Sequence, residues 1–226
     1  MRILIAYMRE DGMLKNCLDS LKKFLPEIPV ELLLVNPKET QIAEQLYQKW
    51  IDEHEAEDIM IWHPDMIATK DMNMANYKAS FDITGLKIIY PNGLLNHYGG
   101  SIIADGRGCH PHQGQLNIGL ELSQNVAYVT GPGTIISKKV IEKFKELNKP
   151  LWDFQFNYYV DVDFCFTARE LGFTVGVIPV EVIHYEGFDM ANRRPQSVTN
   201  QLQAESFYKF TAKWMHVLAK YKGVKE

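Results

Sequence analysis

The sequence is poor in cysteine, with three widely spaced residues, Cys17, Cys109 and Cys165. No Cys-x-x-Cys pair is present, which argues against a disulfide framework and against a structural zinc site. No apolar run approaches the roughly 20 residues that a membrane span requires. A signal peptide's apolar core is also missing near the amino terminus, where charged residues follow the first apolar run at once. These absences predict a protein of a reducing compartment, cytoplasmic and at most in contact with a membrane surface.

An excess of positive charge is missing too. The 24 Lys and Arg residues are outnumbered by 28 Asp and Glu residues, which leaves a net charge of −4. Without a basic field, no nucleic acid is expected as a partner. The hydrophobic fraction of 46% and the charged fraction of 23% are those of an ordinary globular chain, which excludes disordered, collagen-like and coiled-coil classes. A length of 226 residues is enough for one sizeable domain and short for two.

The first third of the chain alternates between strand and helix patterns. Short apolar runs predict strands, and apolar residues at helical spacing predict the helices between them. The predicted strands cover residues 2–7, 30–35 and 58–62, and the predicted helices cover residues 12–25 and 39–54. Strands joined by single helices imply a parallel sheet with right-handed crossovers. We therefore predict an α/β fold with helices flanking a central sheet.

The second half of the chain is less regular. Strands are predicted at residues 86–90, 127–130, 173–178 and 181–184, and helices at residues 137–147 and 163–171. The stretch 91–117 is rich in Gly, His, Asn and Asp, and a loop of that length inside a domain is usually functional. We expect its part from Asp105 to Asn117, with His110 and His112, to close over a ligand.

The carboxy-terminal segment predicts a long helix with one apolar stripe flanked by lysines. The stripe consists of Phe207, Phe210, Trp214, Val217, Leu218 and Tyr221, and the lysines are Lys209, Lys213, Lys220 and Lys222. We interpret it as a helix packed on the domain's own core. The alternative is a helix that lies on an anionic membrane surface or in a dimer interface. In either case we expect the helix to be dispensable for binding a nucleotide.

Polar residues follow each of the three early strands. Tyr7 and Arg9 follow the first strand, Asn36 follows the second, and His63 and Asp65 follow the third. The carboxyl ends of parallel strands meet at one edge of a sheet, and ligands of open α/β sheets bind there. The convergence of three strand ends predicts a nucleotide-type site.

The usual phosphate-binding loops are absent from the sequence. Neither Gly-x-x-x-x-Gly-Lys-Ser/Thr nor, after the first strand, Gly-x-Gly-x-x-Gly is present. A bound diphosphate would need another counter-charge, which a divalent metal held by a carboxylate would supply. Asp65 is the best placed carboxylate, although an Asp after Pro64 also suits a plain turn. His184 ends an apolar run and becomes a ligand candidate only if the fold brings it beside Asp65.

Two carboxylates, Asp161 and Asp163, stand at the start of a predicted helix. Their spacing points them in different directions, so that one can cap the helix while the other faces a cleft. The helix dipole favours their ionised forms, and an ionised carboxylate can act as a general base. The alternative is that both residues are helix caps.

Three stretches carry a family resemblance. They are Tyr90-Pro91-Asn92-Gly93 continuing to His97-Tyr98-Gly99-Gly100, Val129-Thr130-Gly131-Pro132-Gly133 with Ile135-Ile136-Ser137, and Tyr158 to Arg169 followed by Leu171-Gly172-Phe173, Ile178-Pro179 and His184. In this order they resemble the family 2 glycosyltransferases, which have the nucleotide-diphospho-sugar transferase (GT-A) fold. The resemblance covers nearly residues 2–187. It implies one GT-A domain over residues 1–190 with a mixed, mostly parallel sheet. Within this domain the nucleotide-binding half covers about 1–90, and the acceptor and catalytic half covers about 91–190. The helix follows over residues 191–226.

The resemblance also implies a role for each matching residue. Asp161 stands at the family's catalytic base, Asp65 at the last Asp of its metal motif, and His184 at a His that completes metal and diphosphate binding. Gly131 lies in the segment that lines the pocket for donor sugar and acceptor. His97 and Asp163 are assigned to the same pocket, His63 to the metal, and Tyr7, Arg9 and Asn36 to the nucleotide. Three residues depart from the family pattern. Val160 stands where the family usually has Glu, His63 where it has Asn or Asp, and Asn36 where it has Asp.

The implied function is a metal-dependent transfer of one sugar from a nucleotide-diphosphate sugar to an acceptor hydroxyl, with inversion. The cofactor is Mn²⁺ or Mg²⁺, the acceptor is a glycan or a lipid-linked molecule, and the setting is polysaccharide biosynthesis. Because the Gln-x-x-Arg-Trp motif of processive members is absent, a single addition is expected. The alternatives are an inactive nucleotide- or glycan-binding module of the same fold, and a metal-dependent hydrolase that uses His63, Asp65, His97 and His184.

Overall fold

The computed structural model describes residues 1–36, 43–72, 80–103, 105–117, 122–153, 158–185 and 196–221. Its helices are α1 (Gly12–Phe24), α2 (Ala43–Glu53), α3 (Lys138–Glu146), α4 (Val160–Glu170) and α5 (Gln196–Tyr221). Its strands are β1 (Arg2–Tyr7), β2 (Val30–Leu34), β3 (Ile59–Trp62), β4 (Met66–Ala68), β5 (Ile83–Ile89), β6 (Leu95–His97), β7 (Ser101–Ile102), β8 (Gly108–Cys109), β9 (Gln124–Asn125), β10 (Thr134–Ile136) and β11 (Val175–His184). The first predicted residues of α2, the start of the segment 191–226 and Lys222 lie outside the described residues.

The central sheet has the strand order β2-β1-β3-β10-β5-β11-β4. β1 pairs in parallel with both β2 and β3, and β5 pairs in parallel with β11. β10 runs antiparallel between β3 and β5, and β4 runs antiparallel to β11. Five of these seven strands therefore run in one direction. The sequence prediction of a mixed, mostly parallel sheet flanked by helices is confirmed.

One predicted strand, at residues 127–130, is wrong. Only Tyr128 forms an isolated bridge there, with Gly100. The strand of this region is β10, which follows the turn at Gly131-Pro132-Gly133 and supplies Ile135 and Ile136 to the middle of the sheet. The strand lies later than predicted because pairing with β3 and β5 places Thr134–Ile136, and not residues 127–130, in the sheet.

The last predicted strands, 173–178 and 181–184, form the single strand β11. Pro179 lies inside it, where the register against β5 shifts between Ile178 and Glu181. A proline cannot donate to a neighbouring strand, so within a sheet it is placed at such an irregularity. The second part of β11 pairs with β4 and carries His184 to the end of the sheet.

The core lies on both faces of the sheet. On one face α1 places Leu14, Cys17 and Leu21 against Ile3 and Ile5. On the other face α2, α3, α4 and α5 pack together on β1, β3 and β5. The three cysteines are free, and Cys17 and Cys165 are buried. The cysteines therefore contribute to the fold as packed side chains.

Helix α5 packs on the protein with the stripe that its sequence pattern singled out. Phe210, Trp214 and Leu218 are buried, and Phe210 contacts Phe166 of α4 at a ring distance of 5.5 Å. These three side chains of the stripe therefore lie in the protein's own core. Among the described residues, no helix is both long and apolar enough to cross a membrane.

Candidate functional site

Three polar side chains meet beyond the ends of β3 and β11. They are His63, Asp65 and His184, and their ligand atoms all lie within 4.8 Å of one another. His184 Nε2 lies 3.2 Å from Asp65 Oδ1, and the rings of His63 and His184 are 5.6 Å apart, edge to face. Asp65 and His184 are buried, and His63 is half-buried. Two imidazoles and one carboxylate so close together can hold a divalent metal ion.

Strand pairing builds this cluster from distant parts of the chain. His63 follows β3, and the Met66 N–H donates to the His63 carbonyl across the Pro64-Asp65 turn. β4 then pairs antiparallel with the end of β11, with Met66 opposite His184. The Tyr185 N–H closes the arrangement by donating to the Asp65 carbonyl at 2.9 Å. The condition that His184 be brought beside Asp65 is therefore met.

The electrostatics of the cluster suit a metal ligand set. Burial, with neighbouring His184 as a second cause, lowers the pKa of His63 to about 4. Burial alone would raise the pKa of Asp65, but the hydrogen bond and charge of His184, together with His63, lower it. At neutral pH the imidazole of His63 is thus neutral and the Asp65 carboxylate is ionised. These are the protonation states that bind metal ions.

Asp161 lies at the second position of α4, directly after Tyr159 and Val160. Its Oδ1 accepts the Val162 N–H at 2.9 Å. Burial nevertheless raises the pKa of Asp161 to about 6. The group is therefore ionised at neutral pH and more basic than an exposed carboxylate, which is what a general base requires.

One cavity of about 730 Å³ contains both the three-residue cluster and Asp161. The other described side chains and backbone that line it are Asn96, Arg107, Gly108, His110, Gln113, Tyr128, Thr130, Pro132, Tyr158, Tyr159, Val162, Gln203, Ala204 and Phe207. Within the described part of the chain, the hydroxyls of Thr130 and Tyr158 are buried and have no hydrogen-bond partner. Both hydroxyls can form hydrogen bonds with a polar ligand in the cavity.

Asp163 lies outside this cavity, contrary to its assignment to the sugar pocket. Its carboxylate accepts from Lys213 Nζ at 2.8 and 2.9 Å and from Trp214 Nε1 at 2.6 Å. It is 2% exposed and borders a separate cleft between α4 and α5. It does not cap α4 either, because its side chain is used to hold α5. The two carboxylates do face different ways, as their spacing predicts.

His97 is also absent from the described cavity wall. It is 1% exposed, and its Nδ1 lies 2.6 Å from Nδ1 of His110, which does line the cavity. His112 is exposed and contacts Gln115 instead. Gly131 lies beside the cavity, between Thr130 and Pro132, and a Cβ atom added there would meet open space. Of His97, His110, His112 and Gly131, only His110 is among the described residues that line the cavity.

The three nucleotide candidates lie along the same edge of the sheet as His63. The Val35 N–H donates to the Tyr7 carbonyl at 2.7 Å, which places Asn36 next to the end of β1. Arg9 Nε donates to Asp11, the residue whose side chain caps α1. None of Tyr7, Arg9 and Asn36 is among the described residues of the cavity wall. Residues 37–42, which follow Asn36 in the sequence, lie outside the described residues.

Several wall residues were not found by sequence reasoning. Gln203 and Phe207 come from α5, whose sequence pattern predicts packing on the core but not a place in the cavity wall. Tyr159 has φ +68°, a left-handed conformation that is strained for an aromatic residue. Its ring lies 6.1 Å from Phe207 and 5.0 Å from Phe210. The Tyr158-Tyr159 pair in the third matching stretch was a signal that could have pointed to it.

Comparisons with known proteins bear on the fold. No protein-family model and no curated protein matches the sequence. The crystal structure of S. aureus TarS 1-349 is similar at a TM-score of 0.51 and 10% identity, over 100% of this chain and 76% of that one. The same protein in complex with UDP-GlcNAc is similar at a TM-score of 0.51 and 15% identity, over 91% of this chain and 66% of that one. The inositol-1-phosphate CTP transferase from T. maritima has a TM-score of 0.46 and 13% identity, with 91% and 96% covered.

At these identities the likeness to TarS shows the fold alone. The fold is an α/β fold of the nucleotide-diphospho-sugar transferase (GT-A) type, with a mostly parallel central sheet flanked by helices. The fold class expected from the sequence is thereby confirmed.

Proposed function

We propose that the protein is a glycosyltransferase of the family 2 type. It moves one sugar from a nucleotide-diphosphate sugar to an acceptor hydroxyl, without processive addition, in glycan or polysaccharide biosynthesis. The reaction depends on a metal and inverts the configuration at the anomeric carbon. The observation that carries the proposal is the shared cavity: the cluster of His63, Asp65 and His184 lies in the same cavity as the basic carboxylate of Asp161. A transferase of this fold requires both a diphosphate-binding end and a proton acceptor.

The diphosphate end of the proposed site is the three-residue cluster. His63, Asp65 and His184 would hold Mn²⁺ or Mg²⁺, and two nitrogen ligands suit Mn²⁺ better than Mg²⁺. Such an ion, when bound, supplies positive charge against the leaving diphosphate. Tyr7, Arg9 and Asn36 would contact the nucleotide from the adjoining strand ends. Since a protein of similar fold is known in complex with UDP-GlcNAc, a UDP-sugar is the first donor to test.

Asp161 is the base of the proposed reaction. Its carboxylate accepts the proton of the acceptor hydroxyl while that oxygen forms a bond to the anomeric carbon and the bond to the diphosphate breaks. A single displacement of this kind inverts the anomeric configuration. Gly131 and Asp161 border the same small space, and a Cβ atom added at Gly131 would contact nothing within 4 Å.

The acceptor side of the cavity is lined by aromatic rings. Tyr159 and Phe207 are half-buried with their rings 6.1 Å apart, and the Tyr159 ring also lies 5.0 Å from the buried ring of Phe210. Aromatic faces with a nearby amide, here Gln203, suit the apolar face and hydroxyls of a sugar. We therefore propose a glycan, alone or lipid-linked, as the acceptor.

A panel of nucleotide sugars tests the function directly. Thermal shifts with Mn²⁺ and with Mg²⁺ identify the donor, and release of nucleotide with and without candidate acceptors measures turnover. A donor that binds and is transferred supports the proposal. Binding without any nucleotide release would favour the inactive binding module. Turnover of phosphoesters without an acceptor would favour a hydrolase that uses His63, Asp65 and His184.

A further inference from the structure

A small space of about 10 Å³ adjoins the large cavity, and Thr130 and Asp161 line both. This is about the smallest volume that holds one water molecule. Three polar side chains line the space, those of Thr130, Thr134 and Asp161, and the other described side chains around it are apolar or aromatic. Because a buried water needs about two to four polar partners, the space has both the volume and the partners for one.

The three polar side chains differ in the hydrogen bonds that they can still form. Within the described residues, the buried Thr130 hydroxyl has no partner. Thr134 is buried as well, and its hydroxyl donates its proton to the Thr130 carbonyl, so that only its lone pairs remain. The ionised Asp161 carboxylate has no proton to donate and also acts only as an acceptor.

These capacities determine how a water molecule would be oriented in the space. It donates one proton to an Asp161 oxygen and the other to Thr134 Oγ1, and its oxygen accepts the Thr130 hydroxyl. Each proton then has an acceptor, and the buried Thr130 hydroxyl is satisfied.

We propose that one internal water molecule joins Thr130 and Thr134 to the Asp161 carboxylate, and that both threonines are positioning residues for the proposed base. The catalytic part of this inference rests on the proposed function, whereas the water site does not. A hydrogen bond donated to a carboxylate favours its ionised form, so the water opposes the effect of burial, which raises the pKa of Asp161.

Other ionisable groups near Asp161 form a constant background. Burial raises the pKa values of Glu44 on α2, of Tyr128 and Tyr159, and of Cys165 on α4, and the negative charge of Asp161 raises them further. These groups are the same in the wild-type protein and in variants of the threonines. A change in the pKa of Asp161 between those proteins therefore reports on the water and its hydroxyl partners.

The water site is tested by a high-resolution crystal structure of the ligand-free wild-type protein. We expect one ordered water within hydrogen-bond distance of Thr130 Oγ1, Thr134 Oγ1 and an Asp161 oxygen. The proposal is overturned, without recourse to any variant, if no water lies there or if the water contacts neither threonine. It is also overturned if the Thr130 hydroxyl donates directly to Asp161.

The positioning role is tested by the pKa of Asp161, followed through the side-chain ¹³C carboxyl resonance that Asp161→Asn removes. Thr130→Val replaces the hydroxyl by a methyl group of similar size. We expect it to raise the pKa of Asp161 by about 0.5–1, the equivalent of one lost hydrogen bond. The matched control is Thr130→Ser, which keeps a hydroxyl and should keep the wild-type value. An unchanged pKa in Thr130→Val, or an equal rise in Thr130→Ser, would rule out a role for the hydroxyl.

Transfer assays test the catalytic part. In Thr130→Val the acid limb of the pH profile of kcat should move to higher pH by the same amount as the pKa, while the KM for the donor stays unchanged. A merely structural role would lower kcat equally at every pH, and that result would overturn the assignment of Thr130 as a positioning residue. If the wild-type protein transfers no sugar, the proposed function fails, while the crystal structure and the carboxyl titration still decide the water site.

Discussion

Asp161 combines a location in the cavity with an unusually basic carboxylate. We expect Asp161→Asn to lower the transfer rate by about 10²–10⁴-fold, because the amide keeps the shape but cannot accept a proton. Donor affinity should change little, since the diphosphate end is at His63, Asp65 and His184. Steady-state transfer and donor titration measure the two effects. An active Asp161→Asn enzyme would contradict the assignment of the base.

The same carboxylate should lower the stability of the fold. Its pKa is about 6 in the folded protein, compared with 3.8 for an exposed aspartate in an unfolded chain. The folded state therefore binds more protons than the unfolded state between these values, and stability falls as pH rises from about 4 to 6. Because Asp161 is only half-buried and lines the cavity, we expect Asp161→Asn to gain about 1–2 kcal/mol in the free energy of unfolding at pH 7.5. Denaturant unfolding should show this gain vanishing below about pH 4; a constant difference across pH would contradict it.

At the scale of secondary-structure elements, Asp163 joins α4 to α5. Its buried carboxylate accepts from Lys213 and Trp214. An amide there removes one acceptor oxygen and the negative charge, while Lys213 keeps Asp153 as a partner. We expect Asp163→Asn to cost about 2 kcal/mol, more than the roughly 1 kcal/mol of a lost helix cap, and to spare the catalytic step. Guanidinium unfolding measures the loss. The matched control is Asp19→Asn, which breaks only an exposed ion pair with Lys15 and should cost under about 0.5 kcal/mol.

Helix α5 also takes part in the cavity, which its sequence pattern did not predict. We expect Phe207→Ala to raise the KM for the acceptor by about 5- to 10-fold, because an aromatic contact with the sugar is lost. The KM for the donor should stay the same. The neighbouring Tyr208 is 70% exposed, so that Tyr208→Ala is the control and should change neither value. A rise in the donor KM alone would place Phe207 at the donor end of the cavity and contradict its assignment to the acceptor.

At the scale of the whole molecule, the metal requirement should separate activity from folding. EDTA should abolish transfer and leave the circular dichroism spectrum intact, since the described core is apolar and contains none of the three ligands. Added Mn²⁺ should restore transfer and raise the Tm by mass action. Asp65→Asn should lose that shift, whereas Asp19→Asn should keep it. Full turnover in EDTA would contradict the metal role of Asp65.

The fold could be predicted where the signal is local. Residues 2–62 form β1, α1, β2, α2 and β3 much as their periodicity indicates, because apolar spacing and short connections are properties of neighbouring residues. The prediction failed at residues 127–130, where the partner strands β3 and β5 decide which residues enter the sheet. Pairing over such distances has no counterpart in the local pattern.

The sequence by itself determined the α/β class, the positions of Asp65 and Asp161 in recognisable local settings, and the opposite directions of Asp161 and Asp163. The tertiary structure decided which side chains meet. Pairing of β4 with β11 brought His184 to Asp65, docking of α5 gave Asp163 its partners and the cavity part of its wall, and the contact with His97 placed His110 in the cavity. These contacts join residues 13 to 119 positions apart. They depend on strand register and helix packing, which only the assembled core specifies.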